Sequence, residues 1–179
     1  MTAAPAPATA RPTLTFALLI GATVLGLAGT DLVLPAIPGL PQALTGSIET
    51  AQLVLAAFAA GSGSGLLLFG ELGARYDQRR LLVASLLGYS LLSVVATLVD
   101  SISALVWVRF FQGISGAAAA IFAPALIRKL YGEAGSVRAL GVMGSIESMV
   151  PALAPVLGAW LLLYFDWRSS FIVIAACAM

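Results

Sequence analysis

Histidine is absent from this 179-residue chain, and Cys177 is its one cysteine. An intrachain disulfide is therefore excluded, and so is a Cys/His zinc site within one chain. Charge is scarce as well. Asp, Glu, Lys and Arg make up 9% of the residues, against about 25% in a soluble domain. A net charge of +1 gives no general signal for nucleic acid. The GxxxxGK[ST] phosphate loop does not occur, so there is no ATP-binding P-loop. No nucleophile–base set or metal cluster appears either. The chain does not read as an enzyme, and no cofactor or metal is expected.

Apolar residues fill the space that charge leaves. They make up 60% of the chain, and the mean hydropathy is +1.03. This composition predicts an all-α polytopic membrane protein, with the lipid bilayer as its first partner. A helix needs about 20 apolar residues to cross a bilayer. Five segments meet that length, roughly 13–38, 49–70, 81–99, 103–127 and 139–165. A sixth begins near Ser170 and reaches the last residue, Met179, after about 15 Å of helix, half a hydrocarbon core. The chain thus reads as a flexible Ala/Pro-rich tail over 1–12 and a transmembrane bundle over 13–179 whose sixth span is truncated. A secretory signal with cleavage near Ala28 is the other reading of the first apolar run.

The connections set an orientation. Arg11, Arg75, Arg79, Arg80, Arg128, Lys129 and Arg138 fall on one side of the expected spans, and Arg168 alone falls on the other. The positive-inside rule then places the N-terminus in the cytoplasm of a cell (inner) membrane protein. Small residues recur within the spans, as Gly61/Gly65, Ala22/Gly26 and Gly113/Ala117. That spacing lets helix backbones approach closely in lipid.

Three ionisable residues lie inside the expected spans: Asp31, Arg109 and Glu147. Intramembrane charges are costly and mark functional positions by default. Helix rise puts Asp31 roughly 27 Å along the first span, Arg109 roughly 9 Å into the fourth and Glu147 roughly 12 Å into the fifth. Asp31 and Arg109 therefore fall at similar depth, either as partners or facing a common cavity. A carboxylate whose surroundings alternate between an apolar wall and an arginine can load and release a proton, as a proton-coupled carrier requires. Structural pairing and snorkelling toward the headgroups are the simpler readings. Four prolines, Pro35 and Pro38 after Asp31 and Pro151 and Pro155 after Glu147, mark expected helix bends.

Several stretches together resemble the N-terminal half of the major facilitator superfamily. More narrowly they resemble its drug:proton antiporters of the bicyclomycin/chloramphenicol-resistance type. "TDLVLPAIP" is similar to the first-span signature, with Asp31, Pro35 and Pro38 in place. "GELGARYDQRR" resembles the loop signature through Gly70, Leu72, Arg75 and Arg79, with Ala74 in place of its Asp and Asp77 in place of its second Gly. "RFFQGISGAA" resembles the fourth-span pattern linked to proton coupling, with Arg109, Gln112 and Gly113. "APVLGAW" resembles the fifth-span antiporter signature, and "DWRSSF" resembles the start of the sixth.

The resemblance implies an N-terminal six-helix bundle, with a missing C-terminal half or a second copy as partner. It implies proton-gradient-driven efflux of a small amphipathic substrate by alternating access, through a cavity that holds Asp31, Arg109, Gln112 and Glu147. A sugar or other metabolite transporter of the same superfamily and a non-transporting membrane scaffold are the alternatives.

Overall fold

The computed structural model describes residues 12–179. Arg11 and the tail expected over 1–12 lie, except for Pro12, outside the described residues. Within them the chain is helical throughout, apart from short connections and one isolated bridge between Thr45 and Ser101.

Helix α1, Pro12–Asp31, starts on a proline, which needs no amide partner in a first turn. It ends at Asp31, and a 3-10 segment, Leu34–Gly39, takes over with Pro35 at its start and Pro38 inside it. Neither proline can donate the amide that a continuing α-helix would use, so the chain tightens and bends here. One short turn, α2 (Leu40–Ala43), follows.

Helix α3, Ile48–Arg75, is capped by Ser47, whose Oγ accepts from the Thr50 amide at 3.3 Å. Helix α4, Gln78–Thr97, is capped by Asp77, which accepts from the Arg80 amide at 2.9 Å. The basic loop expected over 70–80 is thereby reduced to Tyr76 and Asp77. Gly70, Leu72 and Arg75 belong to the last turns of α3, and Arg79 to the first turn of α4. The helix persists to Arg75 because Arg75 Nε donates to Glu71 Oε1 at 2.9 Å, one turn back.

Helix α5, Ile102–Glu147, is two helices that meet at Gly132, whose φ of +68° and ψ of −176° no other residue type adopts comfortably. A methyl group there would meet no heavy atom within 4 Å. Gly132→Ala is therefore expected to cost roughly 1–3 kcal/mol through backbone strain alone, seen as a lower thermal midpoint of the purified protein.

The fifth expected segment, 139–165, is divided between the second arm of α5 and α6, Val150–Tyr164. Pro151 cannot return an amide to the Glu147 carbonyl, so α5 stops there and α6 restarts with Pro151 in its first turn. Pro155, expected as a bend, sits inside α6 without ending it. Lastly comes α7, Arg168–Ala178.

Among the described residues four helical stretches, Pro12–Ala43, Ile48–Arg75, Gln78–Thr97 and Ile102–Tyr164, are long and apolar enough to cross a membrane. Their outer surface is apolar, with Leu67, Leu98, Val137 and Leu163 each more than 70% exposed. In a chain of this composition such a surface suits lipid rather than water.

Inside, two clusters of buried residues hold the bundle. One gathers Leu32, Val33, Leu40, Val54, Ile102, Leu105 and Phe171. The other gathers Leu19, Phe69, Leu82, Phe122, Ile127 and Met143.

The small-residue pairs set the closest approaches. Gly61 and Gly65 abut the α5 backbone at Phe110 and Ile114, Gly113 abuts α3 at Phe58, and Gly158 of α6 abuts Leu32 just past α1. Any Cβ at these positions would strike a backbone atom.

Candidate functional site

The end of α1, the middle of α3 and both arms of α5 line an open cavity of about 720 Å³. Asp31 and Glu147 both line it. Each is the last residue of its helix, and each is half-buried. Their convergence follows from the breaks: Pro35 and Pro151 end the helices beside them. Among the described residues neither carboxylate has an ion-pair or hydrogen-bond partner. The rest of the wall is mostly apolar or small, with Leu27, Phe58, Leu66 and Met143 contributing the bulk. Pro124, inside α5, also faces it.

Arg109 and Gln112, expected in this cavity, do not line it. Both are fully buried in the first arm of α5. Arg109 Nη1 donates to Gln112 Oε1 at 2.8 Å, and Gln112 Nε2 donates to Ser93 Oγ at 2.6 Å. Ser93 Oγ in turn donates to the Tyr89 carbonyl at 2.7 Å, and the Tyr89 hydroxyl donates to the Leu25 carbonyl at 3.4 Å. These bonds tie α5 to α4, and the Tyr89 hydroxyl separately ties α4 to α1.

The Arg109 guanidinium carbon lies 4.1 Å from the centroid of the Phe58 ring and 5.8 Å from that of Phe171. Cation–π attraction strengthens when both groups are removed from water. Arg109 Nε and Nη2 have no hydrogen-bond partner. Of the two arrangements open to Asp31 and Arg109, an ion pair is absent: among the described residues the ion pairs are Arg75–Glu71 and Arg168–Asp166. Phe58 explains the separation, because it covers the guanidinium and also lines the cavity.

Phe58, Ser93 and Tyr89 carry no mark in the sequence that sets them apart. An aromatic or hydroxyl residue within an apolar run looks the same whether it packs against lipid or against a buried arginine.

The comparisons with known proteins agree with this architecture. The Major Facilitator Superfamily model matches residues 19–179. The chloramphenicol resistance protein of Pseudomonas aeruginosa is 35% identical over 144 residues, which is 80% of this chain and 34% of that protein. The bicyclomycin resistance protein homolog of Haemophilus influenzae is 27% identical over 147 residues, 82% of this chain and 37% of that one. The multidrug resistance protein MdtL of Klebsiella pneumoniae is 26% identical over 143 residues, 80% of this chain and 36% of that one. The matched part spans about a third of the length of each relative. With its match running over nearly all the described residues, the chain belongs to the Major Facilitator Superfamily.

Proposed function

We propose that this chain forms the N-terminal bundle of a secondary active transporter that exports small amphipathic compounds in exchange for protons, by alternating access. One observation carries the reading: two carboxylates, Asp31 and Glu147, share a largely apolar cavity and have no basic partner in it. An apolar wall with a few polar groups suits an amphipathic ligand. Phe58 and Met143 add adaptable, polarizable surface, and this favours drug-like compounds over a sugar, which would need many hydrogen-bonding groups. The relatives' names, which speak of chloramphenicol, bicyclomycin and multidrug resistance, support the same class.

In this reading Asp31 carries the proton, Glu147 contacts the proton or the substrate, and Arg109 with Gln112 modulates Asp31 from behind Phe58. The relatives are longer than the matched part, which supports a second bundle, C-terminal or supplied by another copy, that closes the cavity. The N-terminus and the Tyr76–Asp77 turn would face the cytoplasm of the inner membrane, as the arginines beside them favour.

The test is Asp31→Asn in the complete transporter, assayed by proton-driven efflux from cells or vesicles. The amide keeps the shape of the carboxylate but cannot exchange a proton, so coupled efflux is expected to be abolished or strongly reduced at normal expression. Unchanged coupling would remove Asp31 from the mechanism.

A further inference from the structure

The turn between α3 and α4 and the first turns of α4 carry a shallow, open groove lined by Asp77, Arg79, Arg80, Val83, Ala84 and Leu87, all from one stretch of chain. Its chemistry changes along its length. At one end are Arg79 and Arg80, both exposed and neither ion-paired among the described residues. Their neighbour Arg75, by contrast, is held by Glu71. The groove's one acid, Asp77, is engaged as the cap of α4, accepting from the Arg80 amide. Two arginines against one aspartate leave the groove with a net charge of +1. Lys129 adds a further cation beside the turn, donating from Nζ to Gln78 Oε1 at 2.9 Å.

Away from the arginines the surface becomes wholly apolar. Val83, Leu87, Leu91 and Val94 are 51%, 57%, 65% and 44% exposed. They follow each other at helical spacing, so they form one ridge along α4. From Arg80 to Leu91 the helix rises roughly 17 Å, close to half of a 30 Å hydrocarbon core. A cationic head above an apolar ridge one leaflet deep matches the two parts of a phospholipid.

We propose that this groove is a site for an anionic phospholipid, with its phosphodiester on Arg79 and Arg80 and one acyl chain along Val83, Leu87 and Leu91. Guanidinium groups bind phosphate oxygens through paired hydrogen bonds. The net positive charge favours a headgroup that brings no cation of its own, and basic pockets at the edge of membrane helices recognise anionic headgroups on this basis. Orientation by positive charge accounts for arginines on one side of the membrane but does not require two unpaired arginines directly above an exposed apolar face. The inference is independent of what the protein transports.

The complete protein, purified in detergent, can be titrated with phosphatidylglycerol and with phosphatidylcholine of identical chains, and bound lipid read by native mass spectrometry. Phosphatidylglycerol is expected to be retained at several-fold lower concentration. The double variant Arg79→Gln/Arg80→Gln is expected to lose that preference, and Arg138→Gln to keep it. Equal retention of the two lipids by the unmodified protein would overturn the proposal, as would an unchanged preference in the double variant. Should the double variant not fold, a photoactivatable phosphatidylglycerol on the unmodified protein decides. Crosslinks within residues 79–91 support the site, and crosslinks confined to other helices overturn it. Displacement of the lipid by inorganic phosphate alone would show a simple anion site and also overturn it.

Discussion

Gln112→Leu is expected to destabilise the fold by about 1.5–3 kcal/mol, the loss of a hydrogen bond to a buried charged group. Among the described residues Arg109 has a single hydrogen-bond acceptor, Gln112 Oε1, and no ion-pair partner. Removing that acceptor leaves the guanidinium with only the rings of Phe58 and Phe171. Adding Arg109→Met to the same chain is expected to restore most of the loss. A buried charge with poor pairing is often replaced without penalty by an apolar side chain of similar volume. Four thermal unfolding curves, for the unmodified protein, the two single variants and the double variant, measure the coupling directly. Simply additive losses would show that Arg109 and Gln112 do not act as a unit. The cycle also separates stability from transport. If Arg109 is kept for function, Arg109→Met holds or raises the thermal midpoint while efflux falls.

The second large effect is expected at Gly113. A Cβ there would lie 2.8 Å from the Ser62 amide nitrogen and closer still to the Phe58 carbonyl oxygen. Both obstacles are backbone atoms of α3, so no rotamer change relieves the clash. Gly113→Ala is expected to cost about 1–3 kcal/mol by overpacking, although alanine is the better helix former by roughly 0.5–1 kcal/mol. Gly144→Ala supplies the contrast. It lies in the helical second arm of α5, with no heavy atom within 4 Å of the added carbon. It is expected to leave the midpoint unchanged or to raise it. A Gly113→Ala protein that melts with its parent would mean that α3 and α5 are not in close contact in the membrane.

These two sites show which features were legible in the sequence. Helix rise along an apolar run gives depth, and it placed Asp31 and Arg109 at similar heights. It does not give rotation about the helix axis. Arg109 therefore turns toward α4 and Phe58, while Asp31 turns toward the cavity. Lone acids stand out against Leu and Ala, so both cavity carboxylates were visible, whereas Phe58 looks like any other apolar residue. Proline was an uneven guide. Pro35 and Pro151 sit where helices end, while Pro155 is absorbed inside α6, where the missing amide is tolerated. The basic stretch over 70–80 reads as a loop because of its glycines and charges. Two local bonds, Arg75 to Glu71 and Arg80 to Asp77, convert nearly all of it to helix.

The glycine contacts also fix which helices lie closest. Gly61, Gly65 and Gly113 clasp α3 to the first arm of α5, and Gly158 clasps α6 to the end of α1. Asp31 rides on the second of these pairs, and Glu147 stands three residues before α6 begins. Phe58 and Arg109 ride on the first. Any shift of α1 and α6 against α3 and α5 moves Asp31 relative to the screened arginine, so the shape of the cavity and its electrical character change together.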